Sequence, residues 1–107
     1  ISSTSGIDGN EGRSAYSSSK AAIIAQAKAM SKEVGIHNIR VNVIAPGLIE
    51  TDMLKKNTKD EIIKEMVSNT SLKRIGQPNE IANTVLILSS DLSSFMTGQV
   101  IRVDGGM

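Results

Sequence analysis

The sequence predicts an α/β fold, an open sheet of parallel strands joined by crossover helices. Short runs of β-branched residues alternate with longer segments of helical periodicity, and two of these runs end in Pro-Gly or Gly-Gly turns. The resulting order is strand, helix, strand, two helices, strand, which is typical of such sheets. Their ligands bind beyond the carboxyl ends of the strands, so the loops at those ends are the candidate site.

The first strand is expected to end near Ile1 and to pass into an irregular loop through residue 13, because Ser and Gly dominate this stretch. Ser14 to Val34 is expected to be a helix, since the segment is rich in alanine, lacks Gly and Pro and gathers lysines toward its carboxyl end. Gly35 is expected to end this helix. Small side chains along it allow close packing on a sheet and on a second subunit: Ala15, Ser18, Ala22, Ala25 and Ala29.

The second strand is expected in the run that begins at Ile39, where the β-branched residues Ile39, Val41, Val43 and Ile44 lead into a turn at Pro46 and Gly47. Asn42 interrupts this run. A polar amide in a central strand needs hydrogen-bond partners, so we expect a structural role for it.

Two further helices and a strand complete the prediction. Thr58 is expected to cap a short amphipathic helix. Pro78 suits the first turn of the next helix, and Glu80 suits the positive end of its dipole. The run from Gln99 to Val103 reads as the last strand, closed by glycines.

Composition narrows the function classes. The formal net charge is +1 over 107 residues, with acids and bases interleaved, so neither nucleic acid nor a charged membrane is an expected partner. There is no cysteine and a single histidine, His37, so we expect no disulfide and no metal site. No apolar stretch has the length of a membrane span, and a cytoplasmic location is expected. The Ser-rich start at Ile1 and the Gly-Gly-Met end suggest part of a longer domain.

The chain places its single tyrosine, Tyr16, four residues before Lys20. Residues four apart share one face of a helix. A free phenol has a pKa of about 10, and a unit charge about 4 Å away is worth roughly 4 kcal/mol at an effective dielectric near 20. One lysine can therefore make a phenol a useful acid near neutral pH. The spacing alone also fits a surface tyrosine beside an unrelated lysine. The Ser-rich strand end upstream and the Pro-Gly loop downstream favour a catalytic role for the pair.

Five stretches, in order along the chain, resemble the carboxyl-terminal half of the short-chain dehydrogenases/reductases, in particular the bacterial 3-oxoacyl-acyl-carrier-protein reductases: ISSTSG, YSSSK, IRVNVIAPGLIETDM, GQPNEIANTVLILSSD and TGQVIRVDGG. The resemblance implies that residues 1–107 are the carboxyl-terminal part of one Rossmann-like, doubly wound parallel-sheet domain whose amino-terminal strands are absent. It also implies hydride transfer between a nicotinamide cofactor and a carbonyl group or secondary alcohol.

Particular residues match the family's catalytic positions. Tyr16 matches the general acid that gives its proton to the carbonyl oxygen, and the match also places it among the residues that line the cofactor. Lys20 matches the lysine that makes the phenol more acidic and binds the ribose hydroxyls of the cofactor. Ser3 matches the serine that hydrogen-bonds the substrate oxygen.

Other matching residues lie beside the nicotinamide. Pro46 and Gly47 resemble the family's turn there, Ile49 presents backbone groups to the carboxamide, and Thr51 adds a hydroxyl. Residues 48–75 resemble the mobile substrate lid. Without the resemblance, a Pro-Gly pair indicates only a turn.

The resemblance favours NADP over NAD as cofactor, but the residue that separates the two preferences is not among the matched motifs, so NAD stays open. It also implies an acyl thioester as substrate, acyl carrier protein as a partner and a homotetramer as the intact assembly. The glycine-rich phosphate loop is absent from this chain, so the isolated chain is expected to be inactive. Ile36-His37-Asn38 stands where relatives tend to carry an arginine, which leaves Lys32 and Arg40 as basic candidates for a carrier contact. Two alternatives stay open: another short-chain dehydrogenase acting on sugars, steroids or small alcohols, and an inactive truncated fragment that keeps only an assembly surface.

Overall fold

A computed structural model describes residues 1–107 of the chain. The helices and strands are α1 (Ser5–Asp8), α2 (Ser14–Val34), β1 (Val43–Pro46), α3 (Asp52–Asn57), α4 (Asp60–Ser68), α5 (Pro78–Ser89) and β2 (Val100–Val103), with 3₁₀ turns at Gly35–His37 and Asp91–Ser93. None of the helices combines the length and hydropathy that a bilayer-spanning segment requires.

Strand β1 is paired on both of its edges. On one side it runs parallel to β2, with Val43 opposite Val100 and Pro46 opposite Val103. On the other side the N–H of Ser2 donates to the carbonyl of Ile44 at 2.8 Å, and the N–H of Thr4 donates to that of Pro46 at 3.1 Å. Moving two residues along the chain from Ser2 to Thr4 moves the acceptor two residues in the same direction, from Ile44 to Pro46. The two segments therefore also run parallel.

Pro46 explains why the opening residues pair without forming a regular strand. In a parallel ladder the bond between the two just described would run from the N–H of residue 46 to the carbonyl of Ser2. Proline has no N–H, so that bond is missing. The strand expected near Ile1 is therefore present as an extended segment with an interrupted ladder.

The loop expected through residue 13 contains one short helix that the sequence did not predict. α1 begins at Ser5, directly after the extended segment, and ends at Asp8. Helix α2 has the predicted bounds, but Gly35 does not end it with a left-handed residue. Gly35 has φ −58° and the chain continues into the 3₁₀ turn, and the left-handed residue is Asn38, with φ 56°.

The segment after β1 also differs from the prediction. Thr58 does not cap α4, which begins at Asp60 behind Lys59. Thr58 instead follows α3, a helix that was not predicted and whose N-cap is Thr51. Helix α5 begins as expected, with Pro78 in the first turn, and the carboxylate of Glu80 accepts from the N–H of the N-cap residue Gln77 at 2.7 Å.

The core is centred on β1. Val43, Ile44 and Ala45 are all buried, and because successive strand side chains alternate between faces, both faces of β1 are covered. α2 and α5 both contact this strand. The amide of Asn42 donates to the carbonyl of Met96 at 2.8 Å and accepts from the N–H of Gln99 at 3.1 Å, which confirms its structural role.

The opening segment is joined tightly to α2. The hydroxyl of Ser2 donates to the carbonyl of Lys20 at 2.7 Å. α1 lies so close to the same turn of α2 that a Cβ at Gly6 would sit 2.7 Å from the carbonyl carbon of Lys20 and 2.8 Å from its Cβ. Only glycine fits without a shift of one helix.

We therefore expect Gly6→Ala to lower the free energy of unfolding by about 1–3 kcal/mol, the range for overpacked sites. The matched control is Gly35→Ala, since Gly35 has a right-handed helical backbone and a Cβ added there would meet no atom within 4 Å. That control should be neutral or stabilising by about 0.4–1 kcal/mol. Thermal unfolding of both variants tests this, and equal melting temperatures would contradict the close approach.

Candidate active site

Three chain segments end at one edge of the sheet. Because the pairing is parallel on both sides of β1, the carboxyl ends at Ser3, Pro46 and Val103 lie together. Helix α2 follows the first of these ends through α1, so its opening turns lie on the same side. This is the edge at which open α/β sheets bind ligands.

Ser3 lies at the first carboxyl end, half-buried. Its Oγ accepts a hydrogen bond from the N–H of Ser5 at 3.2 Å, and its carbonyl accepts from the N–H of Gly6 at 2.9 Å. These bonds start α1 and fix the side chain. A hydroxyl that accepts still has its own hydrogen to donate, so Ser3 can hold a carbonyl oxygen of a ligand.

Tyr16 and Lys20 share one face of α2, as the spacing predicted. The ammonium Nζ of Lys20 lies 5.6 Å from the centroid of the Tyr16 ring, within the range of a cation–π contact. Tyr16 is 43% exposed, and its hydroxyl makes no hydrogen bond to the protein. The phenol can therefore exchange a proton with a bound molecule.

The Pro46-Gly47 turn lies against the end of β2. The N–H of Gly47 donates to the carbonyl of Val103 at 3.0 Å. A Cβ at Gly47 would meet the Cβ of Asp104 at 2.6 Å, so a larger residue would push this turn away from β2.

Ile49 has an unusual backbone arrangement. It forms an isolated parallel bridge with Gly76, in which the N–H of Gly76 donates to the carbonyl of Leu48 at 3.0 Å and the N–H of Glu50 donates to the carbonyl of Gly76 at 2.8 Å. Gly76 thus bonds the residues on either side of Ile49. The N–H and C=O of Ile49 itself face the other way and have no partner in the structure.

Thr51 has a structural role that the sequence did not predict. Its Oγ1 accepts from the N–H of Leu54 at 3.2 Å and caps α3. As with Ser3, the hydroxyl hydrogen stays available to a ligand.

A polar cluster surrounds Gly76, and of its members the sequence singled out only Glu80, for the positive end of the α5 dipole. Arg74 donates to both carboxylate oxygens of Glu80, at 2.9 and 2.6 Å, and the N–H of Gln77 donates to the same carboxylate at 2.7 Å. These bonds, the side-chain bonds from Arg74 first, lower the pKa of Glu80 from its ordinary 4.5 to about 2. The side chain of Gln77 donates to Glu50 at 2.6 Å, and Glu50 pairs with Lys55 at 2.6 Å.

A second cluster joins α1 to the end of β2. The guanidinium of Arg102 pairs with Asp8 at 2.9 Å and with Asp104 at 2.7 Å. Although burial opposes its ionisation, Arg102 and the N–H of Gly106 hold the pKa of Asp104 below its ordinary value. No sequence signal pointed to this cluster, because Asp8 and Arg102 are far apart in the chain.

The segment expected to form a lid, residues 48–75, contains α3 and α4. Its first residue, Leu48, is buried, and the Ile49–Gly76 bridge joins its two ends. Toward its carboxyl end, the N–H groups of Ser71 and Leu72 donate to the carbonyls of Gly106 and Gly105. The segment is therefore anchored at its base, while Ile62 on α4 is 47% exposed.

Comparisons with known proteins give consistent results over the whole chain. The model of a family described as enoyl-(acyl carrier protein) reductase matches residues 1–107. A 3-oxoacyl-[acyl-carrier-protein] reductase of Chlamydia trachomatis serovar D is 52% identical over 107 residues, which are 100% of this chain and 43% of that protein.

Two solved structures superpose closely. A 3-oxoacyl-[acyl-carrier protein] reductase from Brucella melitensis gives a TM-score of 0.93 at 40% identity, covering 99% of this chain and 40% of the other. A 7α-hydroxysteroid dehydrogenase complexed with NADH and 7-oxo glycochenodeoxycholic acid gives a TM-score of 0.95 at 42% identity. That superposition covers 99% of this chain and 42% of the dehydrogenase. The chain spans less than half the length of each of these proteins.

The ion pair at Gly76 predicts a pH dependence. With the pKa of Glu80 lowered to about 2, the pair contributes to stability above the ordinary pKa, and this contribution is lost as the pH falls through about 2. The side-chain carboxyl resonance of Glu80, followed by NMR, should titrate near that value. In Arg74→Gln the midpoint should rise toward the ordinary value. The same midpoint in both proteins would show that Arg74 is not the cause.

Proposed function

The chain belongs to the short-chain dehydrogenase/reductase superfamily, and from that membership we propose that the full-length protein reduces a 3-oxoacyl thioester on acyl carrier protein, using NADPH. The product is the 3-hydroxyacyl thioester. The bound nicotinamide supplies the hydride to the carbonyl carbon. The protein supplies the proton, the orientation of both reactants and the exclusion of water.

The observation that carries the proposal is the free backbone of Ile49 at the ligand-binding edge. A primary carboxamide, the amide group of nicotinamide, has one carbonyl acceptor and an NH₂ donor. The N–H and C=O of Ile49 complement these two groups. The hydroxyl of Thr51, two residues on, has a hydrogen to donate beside them.

Tyr16 is proposed as the general acid. Its phenol has no protein partner, and it donates its proton to the carbonyl oxygen as that oxygen gains charge. Lys20, close to the ring, favours the anion that remains and binds the ribose hydroxyls. Ser3 donates its hydroxyl hydrogen to the same substrate oxygen and holds it in place.

The substrate assignment rests on the relatives named as 3-oxoacyl reductases and on the apolar side of α4. Ile63 and Met66 on this helix are half-buried and Ile62 is exposed, which suits contact with an acyl chain. The steroid dehydrogenase of similar fold supports the alternative, a different carbonyl or alcohol substrate on the same hydride chemistry.

The contact with acyl carrier protein is proposed at Lys32, which is exposed near the end of α2. Arg40, the other basic candidate, is engaged elsewhere. Its guanidinium donates to Ser93 Oγ at 3.0 Å and to the carbonyl of Ser90 at 3.2 Å, so it has little left to offer a carrier.

The assembly is proposed to be a cytoplasmic homotetramer. The small residues predicted to pack against a second subunit are all exposed in the structure: Ala15, Ser18, Ala22, Ala25 and Ala29. Only 11 of 107 residues are buried, a small core for a chain of this length. Because this chain also lacks the glycine-rich phosphate loop, we propose that it is inactive in isolation, and activity and binding are to be measured in the full-length protein.

Tyr16→Phe should lower the rate of acetoacetyl-thioester reduction by about 10²- to 10⁴-fold, the usual contribution of a positioned acid. Cofactor affinity should stay nearly unchanged, because the ring remains and only the hydroxyl is lost. Turnover is followed by NADPH absorbance and affinity by NADPH fluorescence. Near-normal turnover would remove Tyr16 from the assigned role.

Lys20→Met should weaken cofactor binding and slow reduction together, since the ammonium serves both the ribose and the phenol. Lys28→Met is the matched control, because Lys28 lies two turns further along α2, is exposed and makes no ion pair. Unchanged NADPH affinity in Lys20→Met would contradict the ribose contact. A comparable loss in Lys28→Met would indicate a general effect on α2.

A further inference from the structure

We infer that the ion pair of Arg74 and Glu80 positions the nicotinamide-binding backbone of Ile49, acting through Gly76. Neither side chain is proposed to touch the cofactor. The inference rests on the proposed function, because it assigns these residues to the carboxamide contact of that same site.

The bridge between Ile49 and Gly76 sets the direction of the Ile49 backbone. Gly76 donates to Leu48 and accepts from Glu50, and these two bonds decide which way the peptide groups of Ile49 face. The bridge is isolated, with no neighbouring strand pair to support it. The segment between its two ends contains 26 residues, so its closure has an entropic cost.

Glu80 supports the residues around Gly76. Its carboxylate receives both arms of the Arg74 guanidinium and the N–H of Gln77. Arg74 also donates to the carbonyl of Ile75 at 3.2 Å. Arg74 and Gln77 therefore bond to the Glu80 carboxylate, and Ile75 bonds to Arg74. Gly76 lies between these residues, so its backbone direction is fixed.

A second link crosses the bridge. The side chain of Gln77 donates to Glu50 at 2.6 Å, so the residues that follow Gly76 and Ile49 are joined to each other. Glu50 in turn pairs with Lys55 on α3. The bridge is thus supported from α5 on one side and from α3 on the other.

The exposure of the ion pair separates this role from ordinary stabilisation. The side chains of Arg74 and Glu80 are 51% and 37% exposed, and ion pairs at such exposure add little to global stability. The main effect of the pair is therefore expected in the local geometry of residues 74–77. A relaxed Gly76 would turn the N–H and C=O of Ile49 out of register with a carboxamide.

The test compares two ligands in the full-length protein: NADPH, and the 2′-phosphate of ADP-ribose, which lacks nicotinamide. Glu80→Gln and Arg74→Gln should weaken NADPH binding about tenfold, the effect of losing one good hydrogen bond, and should leave binding of the nicotinamide-free ligand unchanged. Arg74→Lys keeps the charge but loses the bidentate geometry, so its NADPH affinity should lie between those of the unaltered protein and of Arg74→Gln. Glu33→Gln is the matched control, because Glu33 is exposed and has no partner.

If the Gln variants bind both ligands more weakly by the same factor, the inference is overturned, because that result would indicate a general structural effect. Unchanged NADPH binding in both Gln variants would also overturn it. If the unaltered protein binds the two ligands equally well, nicotinamide adds no binding free energy, and the carboxamide contact at Ile49 that the proposed function relies on is overturned together with the inference. Arg74→Lys keeps the test decisive if a Gln variant does not fold.

Discussion

The parallel pairing of β1 on both edges is the constraint on which the rest of the structure depends. It brings the ends at Ser3, Pro46 and Val103 to one side of the sheet. Because β1 is buried on both faces, α2 and α5 must each lie against it. The position of this one strand therefore places both the face of α2 that carries Tyr16 and Lys20 and the ion pair at the start of α5. The position of the proposed site is therefore set by the strand pairing of the sheet and not by the conformation of a single loop.

Two side chains of the proposed site, Ser3 and Thr51, also have a structural role. The hydroxyls of Ser3 and Thr51 accept backbone N–H groups that begin α1 and α3, and each keeps a hydrogen for a bound molecule. Ile49 is the backbone counterpart, since its neighbours make the bridge and its own groups stay free. The proposed ligand groups of Ser3, Ile49 and Thr51 are thus positioned by hydrogen bonds that the fold itself makes. The arrangement is one of preorganisation.

Local patterns predicted much of the fold. The bounds of α2, the start of α5 and the position of β2 follow from alanine content, capping residues and β-branched runs. The spacing of Tyr16 and Lys20 likewise predicted a shared helix face. α1 was missed because four residues give too short a period to detect. The cap by Thr51 was missed because Thr58 gave a similar signal nearby. The bridge at Gly76 and the ion pair of Arg102 with Asp8 join residues far apart in sequence, and no local pattern encodes them.

The most direct measurement is the amide resonance of Ile49 in full-length protein labelled with ¹⁵N-isoleucine. We predict that NADPH shifts this resonance at saturation, because the free N–H of Ile49 then donates to the carboxamide. The same dinucleotide without nicotinamide should leave the resonance in place while it binds. If the Ile49 resonance does not shift in protein that is shown to be saturated with NADPH, the claim that this edge of the sheet holds the nicotinamide is contradicted.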